Sequence, residues 1–306
     1  MKVAFAGTPH FAATILRNLA SSDHEVGLVI SQPNPRRGRG RKMAPTPVAE
    51  LARDLRLPLR QPTHISEVAR EISDHDTLVV AAYGQILRPD TLYATREGAW
   101  NVHASLLPKY RGAAPILRAI INGERKTGVT IMQMDEGLDT GPIALQRTVE
   151  ITPEMTGGEL AELLSRVGAE AIVEVLSSAA TGTLALTEQD SLFATYAPKL
   201  SGEDLVISWD RGVEQVRDLV RALAPHVGAR TFHPAVEGPV KIWRAKVSEE
   251  ADVSLEVGHI RAENGQVLVG CGAGVLEVLE LQMPGAKRIS AQAFLRGNAL
   301  DGAFAS

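Results

Sequence analysis

The chain has 306 residues, of which 44% are hydrophobic and 22% charged, and its formal net charge is −4. This length suits two domains with a sizeable core, and the composition is ordinary for a soluble protein. Aromatic residues make up only 4% of the chain. We therefore expect no nucleic-acid platform built mainly on base stacking, and any nucleic-acid contact has to come from a local basic segment.

The cysteine content points to a reducing compartment. Cys271 is the only cysteine, which excludes intrachain disulfides and cysteine-rich metal sites and favours a cytoplasmic protein. The N-terminal apolar run is too short for a signal peptide, and no stretch reaches transmembrane length. We therefore expect no membrane association.

The first part of the chain alternates strand and helix signals. Thr8 and Thr46, each followed by proline, predict two helix N-caps, and Thr156-Gly-Gly-Glu159 predicts a capping box before a long helix. Apolar runs predict strands at Lys2–Ala6, Glu25–Ile30, Leu78–Tyr83, Ala99–Ala104 and Thr127–Met134. This alternation predicts an α/β fold with a doubly wound, mostly parallel, Rossmann-like sheet over residues 1–188.

The pattern changes after residue 188. Residues 189–204 are turn-rich and predict a linker, Asp210 predicts the cap of one more helix, and Ser290 predicts the cap of a short final helix. Short β-rich runs separated by Gly and Pro follow at Val240–Val247, Val257–Ala262, Gln266–Val269 and Gly274–Gln282. They predict a small, OB-like β-barrel domain over residues 205–306.

The turn after the first strand does not carry a dinucleotide fingerprint. Gly7 is followed by Thr8 and Pro9, so the G-x-G-x-x-G loop that cradles a pyrophosphate is absent. A nicotinamide dehydrogenase is therefore disfavoured, and this segment is interpreted as a plain strand-to-helix turn.

Three polar residues have the chemistry of an acyl transfer to an amine. Asn101 and His103 lie two apart at the end of a predicted buried strand, so their side chains point to the same face. Asp139 lies in the loop after the next strand, and ligands in open α/β sheets bind outside the carboxyl ends of strands. An amide, an imidazole and a carboxylate supply an oxyanion donor, a proton shuttle and an orienting group. We take these three as candidate catalytic residues, and no ligand cluster predicts a metal.

A basic segment is the second informative feature. Residues 32–47 contain five positive charges and no acid, with Pro and Gly throughout. Such a segment is predicted to be an exposed loop that is neither strand nor helix. Because the chain as a whole is negative, this concentration of charge favours contact with a phosphate backbone. The candidate residues are Arg36, Arg37, Arg39, Arg41 and Lys42.

These motifs together resemble a known family, the 10-formyltetrahydrofolate-dependent formyltransferases. The resemblance covers essentially the whole chain. It is carried by the opening FAGTPHFA, the basic loop, the run Asn101-Val-His103-Ala-Ser105-Leu106-Leu107-Pro108, Tyr110-Arg111-Gly112, the Asp135–Pro142 segment and TYAPKL at 195–200. The basic loop and the C-terminal β domain are similar to those of the members that act on a charged initiator tRNA.

The resemblance implies a reaction and assigns residues to it. It implies transfer of a formyl group from 10-formyltetrahydrofolate to the α-amino group of methionyl initiator tRNA, for translation initiation, by a monomeric enzyme without a metal. It implies catalytic roles for Asn101, His103 and Asp139, and tRNA contacts by the basic loop. The folate site is implied at Ser105, Leu106, Leu107, Pro108, Tyr83, Gln85 and Leu87.

One feature departs from what the resemblance implies. The C-terminal domain is expected to touch tRNA, yet residues 201–306 hold 11 basic and 14 acidic side chains, a net charge of −3. Contacts there would need a local patch, for which the candidates are Arg211, Lys241, Arg244, Lys246, Lys287 and Arg288. Three alternatives stay open: a formyltransferase acting on an amino sugar nucleotide, a formyl-folate hydrolase, and a non-catalytic RNA-binding protein.

Overall fold

The computed structural model describes residues 1–37, 42–249, 254–298 and 300–305, and of Arg36, Arg37 and Lys42 it describes the backbone alone. The chain divides into two compact units. The first unit consists of Met1–Pro115, Lys126–Glu150 and Ala161–Pro198, and the second consists of Ile116–Arg125, Ile151–Leu160 and Lys199–Ser306.

The elements are numbered in chain order. The strands are β1 (Lys2–Gly7), β2 (Glu25–Ile30), β3 (Arg36–Arg37), β4 (Lys42–Met43), β5 (Leu59–Arg60), β6 (Thr77–Ala81), β7 (Ala99–His103), β8 (Lys126–Gln133), β9 (Ile143–Glu150), β10 (Ala229–Thr231), β11 (Val240–Val247), β12 (Ile260–Glu263), β13 (Gln266–Gly270), β14 (Val275–Gln282) and β15 (Ile289–Ser290). The α-helices are α1 (His10–Ala20), α2 (Pro47–Asp54), α3 (Ala69–Ser73), α4 (Pro89–Leu92), α5 (Pro115–Ile121), α6 (Gly157–Ala180), α7 (Val213–Leu223) and α8 (Ala291–Leu295). Short 3₁₀ helices lie at Ile65–Val68, Ser191–Phe193 and Glu203–Leu205.

The first unit is built on a sheet in the order β5-β2-β1-β6-β7-β8-β9. The pairs from β5 to β7 are parallel, whereas β8 runs antiparallel to both β7 and β9. The predicted fold class is confirmed, since this is a mostly parallel Rossmann-like sheet. Strand β9 was not predicted from the sequence. Most residues of IALQRTVE are exposed or half-buried, so the segment lacks the continuous apolar run from which the other strands of this sheet were predicted.

Helix caps show which local predictions were correct. Thr46 accepts a hydrogen bond from the Ala49 N–H and Pro47 occupies the first position of α2, as predicted. The capping box of Thr156 and Glu159 before α6 is also confirmed. The prediction for Thr8 was wrong, because α1 begins at His10 without a side-chain cap and the Thr8 hydroxyl donates instead to the Tyr83 carbonyl at 2.9 Å.

The basic segment contains a short antiparallel ladder, although its sequence predicted neither strand nor helix. Arg36 pairs with Met43, and Arg37 pairs with Lys42, in antiparallel register. The pairing uses backbone groups that every non-proline residue carries, and Pro33, Pro35 and the later prolines lie outside the paired residues. Charge and proline content therefore did not prevent strand pairing within this segment.

The second unit confirms the predicted β-rich domain. Its strands form an antiparallel sheet in the order β10-β11-β14-β13-β12, with β15 pairing on β14. Its core includes Trp209, fully buried and stacked on Phe304 with ring centroids 5.5 Å apart. Ser290 caps α8 as predicted, but Asp210 does not cap α7. That helix begins at Val213 after Gly212, and the Asp210 carboxylate accepts from the Ser208 hydroxyl.

A buried charge cluster fastens α7 within the second unit. Asp218 Oδ1 accepts from Arg221 Nε at 2.8 Å and from Arg217 Nη2 at 2.9 Å. Arg221 also donates to the carbonyls of Thr152 and Met155 at 3.1 and 2.8 Å. Asp218 and Arg221 are 5% and 9% exposed, so neither charge is compensated by bulk water.

None of the helices in the described part of the chain combines the length and apolarity needed to cross a membrane.

Replacing Asp218 by alanine is expected to lower the free energy of unfolding by about 3 kcal/mol, because the buried Arg221 guanidinium loses its carboxylate partner. Urea denaturation followed by circular dichroism measures this. The control is Glu214→Ala, an exposed acid on the same helix, which should change stability by less than about 0.5 kcal/mol. A loss for Asp218→Ala no larger than the control's would show that the cluster does not fasten the helix.

Candidate active site

Strand β7 presents Asn101 and His103 on one face of the sheet. Residues two apart on a strand share a face, and Val102 between them points to the other face. There it lies against α6, where a Cβ added to Gly168 would come within 2.8 Å of the Val102 side chain. Helix α6 therefore covers one face of β7, and the candidate catalytic side chains lie on the opposite face.

Asp139 reaches that face by a different route from the one predicted from the sequence. Strand β8 is antiparallel to β7, with Gln133 opposite Trp100 and Thr130 opposite His103. The loop after β8 thus starts at the amino end of β7, and the rule for carboxyl ends of parallel strands does not apply to it. Asp139 meets Asn101 and His103 because the loop 134–142 returns over the face to which their side chains point.

The Asp139 carboxylate is the meeting point of the site. Its Oδ1 accepts from Asn101 Nδ2 at 3.1 Å, and its Oδ2 accepts from the Gly112 N–H at 2.8 Å. The same Oδ2 lies 3.6 Å from His103 Nδ1, and the side chains of His103 and Asp139 are 5% and 13% exposed. The three residues predicted from the sequence are therefore brought together.

The other His103 nitrogen determines the tautomer of the ring. Nε2 lies 2.9 Å from the Tyr110 carbonyl oxygen, and a carbonyl oxygen can only accept, so Nε2 carries the proton. In the neutral ring Nδ1 is then unprotonated and faces the Asp139 carboxylate. The arrangement can accept a proton at Nδ1 and hold the resulting imidazolium between two oxygen acceptors.

The loop after β7 is held by residues of the predicted linker. Arg111 and the segment 195–197 exchange backbone hydrogen bonds, with the Arg111 N–H donating to the Thr195 carbonyl at 2.8 Å and the Ala197 N–H donating to the Arg111 carbonyl at 2.7 Å. Gly112 has φ +118°, and a Cβ there would meet the Ala197 carbonyl oxygen at 3.0 Å. A glycine is required at this position for its N–H to reach Asp139.

The segment Ser105–Pro108 is fixed by two polar side chains from β8 and β9. The fully buried Thr130 hydroxyl donates to the Ser105 carbonyl at 2.7 Å and accepts from the Leu107 N–H at 3.1 Å. Gln146 Nε2 donates to the Leu107 carbonyl and to the Thr130 hydroxyl at 2.8 and 2.9 Å. The backbone here is therefore set by its neighbours before any ligand binds.

Burial separates the predicted folate residues into two groups. Ser105, Leu107, Tyr83 and Leu87 are 0%, 3%, 2% and 8% exposed, so they are part of the core beneath the surface. Leu106 and Pro108 are half-buried. Ile86 lies in the same loop as Tyr83, and its apolar side chain is 89% exposed.

The loop 82–87 after β6 is shaped by its own hydrogen bonds. Gln85 Oε1 accepts from the Ile65 N–H at 3.0 Å, and its Nε2 donates to the Thr63 carbonyl at 2.8 Å. Burial, with a smaller contribution from the charge of Glu67, raises the pKa of Tyr83 to about 12, so its phenol stays neutral. The side-chain amide of Gln85 is thus bound to the backbone of Ile65 and Thr63.

The structure describes only some of the residues predicted to contact a nucleic acid. Arg39 and Arg41 lie outside the described residues, and Arg36, Arg37 and Lys42 are described by backbone alone. In the second unit, Arg244, Lys246 and Arg288 are paired with carboxylates of β14, namely Glu277 and Glu280. These ion pairs involve three of the six basic residues predicted to form the C-terminal patch. No group of three or more His, Cys, Asp or Glu side chains within the described ranges could hold a metal ion.

Several residues that build the site were missed from the sequence. Thr130 and Gln146 are ordinary strand residues. Gln189, whose side chain bonds to Arg111 and to the carbonyls of Asp139 and Gly141, lies in the segment interpreted as a linker. Only their long-range hydrogen bonds reveal them, and no local pattern predicts such bonds. Gly112 carried a signal, since glycine after a polar loop marks a special backbone position.

Replacing Thr130 by valine should lower the free energy of unfolding by about 1–3 kcal/mol, since the Leu107 N–H and the Ser105 carbonyl lose a buried partner. Urea denaturation measures the loss. Thr148→Val on the exposed side of β9 is the matched control and should be close to neutral. Equal stability of the two variants would mean that the Thr130 hydroxyl does not hold this loop.

Comparison with known proteins shows to which family the chain belongs. The formyl transferase family matches residues 1–176, and the formyl transferase C-terminal domain matches residues 199–299. Methionyl-tRNA formyltransferase of Rubrobacter xylanophilus is 65% identical over 303 residues, covering 99% of both chains, and that of Pelotomaculum thermopropionicum is 44% identical, covering 97% of this chain and 96% of the other. The fold is also that of the Helicobacter canadensis N-formyltransferase solved with folinic acid and dTDP-3-aminofucose, with a TM-score of 0.69 at 17% identity, covering 94% of this chain and 100% of the other. With its two matched domains and its near full-length relatives, the chain belongs to the methionyl-tRNA formyltransferase family.

Proposed function

We propose that this protein transfers a formyl group from 10-formyltetrahydrofolate to the α-amino group of methionyl initiator tRNA. The observation that carries the proposal is the convergence of Asn101, His103 and Asp139 in a member of this family. The amide, imidazole and carboxylate match the needs of an acyl transfer to an amine. The product is the formylated initiator used in translation initiation.

His103 is the group that takes the proton from the attacking amine. Its Nε2–H is bound to the Tyr110 carbonyl, so Nδ1 is the free base. Asp139 Oδ2, 3.6 Å from Nδ1, stabilises the imidazolium that results. His103 then gives the proton to N10 of the folate as the bond between N10 and the formyl carbon breaks. Positioned acid–base groups of this kind contribute roughly 10²–10⁴ in rate.

Asn101 stabilises the charge that develops on the formyl oxygen. A carboxamide has two N–H donors, and the one bond to Asp139 fixes the orientation of the side chain. The second N–H is then available to an oxyanion. Asn101 thereby links the Asp139 carboxylate to the reacting group, and loss of such a donor costs about 3–4 kcal/mol of transition-state stabilisation.

The segments beside these residues suit a folate. Leu106, Pro108 and Ile86 offer apolar surface at the carboxyl ends of β7 and β6, where ligands of open α/β sheets bind. The strand-end loop 82–87 presents backbone groups for a heterocycle. Ser105, Leu107, Tyr83 and Leu87 support these surfaces from below, and Gln85 shapes the loop. We propose the seven residues predicted from the sequence, together with Ile86, as the folate site on this basis.

The basic segment suits an acceptor that carries phosphates, such as a tRNA. Arg36, Arg37, Arg39, Arg41 and Lys42 are proposed to contact the phosphates near the acceptor end of the tRNA. The short ladder of β3 and β4 pairs Arg36 and Arg37 with Met43 and Lys42 inside this segment. We also propose a cytoplasmic monomer with a catalytic domain over residues 1–188, a linker over 189–204 and a tRNA-binding domain over 205–306.

The reaction is tested with labelled 10-formyltetrahydrofolate and three conditions: methionyl initiator tRNA, a dTDP-linked amino sugar, and no acceptor. Label transferred to the methionyl amino group supports the proposal. Transfer to the sugar nucleotide would identify an amino-sugar formyltransferase, and formate release without acceptor would identify a hydrolase. Retention of tRNA without any folate binding would identify a non-catalytic RNA-binding protein.

Alanine at Asn101 or at His103 should reduce turnover. We expect Asn101→Ala and His103→Ala to lower kcat by about 10²–10³, with the KM for tRNA little changed. Steady-state kinetics with both substrates measures this. Asn18→Ala, an exposed asparagine on α1, is the control and should behave like the wild type. Near wild-type turnover of His103→Ala would remove His103 from the mechanism.

Neutralising the basic segment should weaken tRNA binding alone. We expect Arg36, Arg37, Arg39 and Arg41 changed together to glutamine to raise the KM for tRNA and to flatten its salt dependence, by about 0.7–0.9 in slope for each phosphate that is no longer neutralised. The KM for folate should be unchanged. The matched control changes four exposed arginines elsewhere, Arg17, Arg56, Arg70 and Arg166. An unaltered salt slope would contradict the phosphate contacts.

A further inference from the structure

We propose that Gln189, together with the buried Arg111, is a positioning residue that holds Asp139 in its active orientation. Gln189 lies in the segment that the sequence predicts to be a linker. Asp139 takes part in the reaction only under the function proposed above, so this inference rests on that proposal.

Gln189 is bound to the backbone on both sides of Thr140. Its Nε2 donates to the Asp139 carbonyl at 2.9 Å and to the Gly141 carbonyl at 2.7 Å. Both N–H groups of one amide are therefore used on the loop that carries the carboxylate. No strand ladder does this at residues 139–141, because β8 ends at Gln133 and β9 begins at Ile143.

Arg111 fixes which way the Gln189 amide points. Arg111 Nε and Nη2 both donate to Gln189 Oε1, at 3.2 and 2.8 Å. Since a guanidinium has only donors and the two carbonyls are only acceptors, the amide has one permitted orientation. Arg111 is 3% exposed, and its backbone is paired with the segment 195–197. The Gln189 side-chain amide is thus bound by an arginine whose own position is fixed by burial and by backbone pairing.

The Asp139 backbone needs such support. Asp139 has φ +52°, a left-handed conformation that is unfavourable for a non-glycine residue and persists where the surroundings enforce it. That conformation directs the carboxylate to Asn101, His103 and the Gly112 N–H. Gly112 directly follows Arg111, so one short segment supplies both the anchor for Gln189 and a hydrogen bond to the carboxylate.

Two substitutions separate the parts of this network. Gln189→Met keeps the length of the side chain and removes every hydrogen bond. Gln189→Glu keeps the acceptor for Arg111 but places an oxygen 2.7–2.9 Å from two carbonyl oxygens. We expect both to lower kcat about 10-fold or more, because small misplacements of a reacting group are costly. The KM values for folate and tRNA should stay within about 3-fold of wild type.

The matched control is Glu188→Ala, the exposed neighbour in the same segment. It should leave kcat unchanged. Thermal unfolding is recorded for every variant, and turnover is expressed per folded, folate-binding enzyme, which separates a loss of positioning from a loss of folded protein.

A double-mutant cycle with Asp139→Gly tests whether Gln189 acts through Asp139. Glycine removes the carboxylate and tolerates the positive φ. We expect Gln189→Met to reduce kcat by less than about 2-fold in the Asp139→Gly background, because nothing remains to be positioned. Multiplicative losses would show that Gln189 acts independently of Asp139 and would overturn the inference.

Failure of the inference and failure of the proposed function give different results. If Asp139→Gly alone lowers turnover strongly while the Gln189 variants keep wild-type kcat, the positioning role is wrong and the catalytic assignment stands. If Asp139→Gly turns over like wild type, the catalytic assignment of Asp139 itself is wrong.

Discussion

The structure of the site depends on the hydrogen bonds that end on the Asp139 carboxylate. One oxygen takes an N–H from Asn101, and the other takes the N–H of Gly112 and faces His103. A carboxylate at 13% exposure is stable only when its acceptor sites are filled. The same bonds that satisfy this charge also orient the amide and the imidazole, so stability and reactivity have a common physical cause.

Two layers of the first unit make this convergence possible. Helix α6 approaches β7 closely at Gly168 and occupies the face of Val102, which leaves the opposite face to Asn101 and His103. The antiparallel β8 then delivers the loop 134–142 to that face. The loops of residues 105–112 and 189–197 complete the site through backbone pairing and the Arg111–Gln189 bonds. Every contributing segment belongs to one compact unit.

Local patterns in the sequence predicted those features that local physics determines. Period-two spacing placed Asn101 and His103 on one face, and the Thr46 cap and the Thr156 capping box formed as expected. Thr8 had the same local signal as Thr46 but was diverted by the Tyr83 carbonyl. The direction of β8, the path of Asp139 and the role of Gln189 depend on partners tens of residues away, which no local pattern encodes. Asp139 was predicted from its chemistry and from its loop after the next strand, and it does meet Asn101 and His103, but that loop starts at the amino end of β7 because β8 is antiparallel.

The tautomer of His103 is the most direct test of how the site works, because the proton-accepting nitrogen follows from one hydrogen bond to the Tyr110 carbonyl. Nitrogen-15 NMR of histidine-labelled protein reports it, with the His103 signals assigned by their loss in His103→Gln. The geometry predicts that the neutral ring carries its proton on Nε2 and leaves Nδ1, beside Asp139, unprotonated. A neutral ring protonated on Nδ1 would contradict the proposed base.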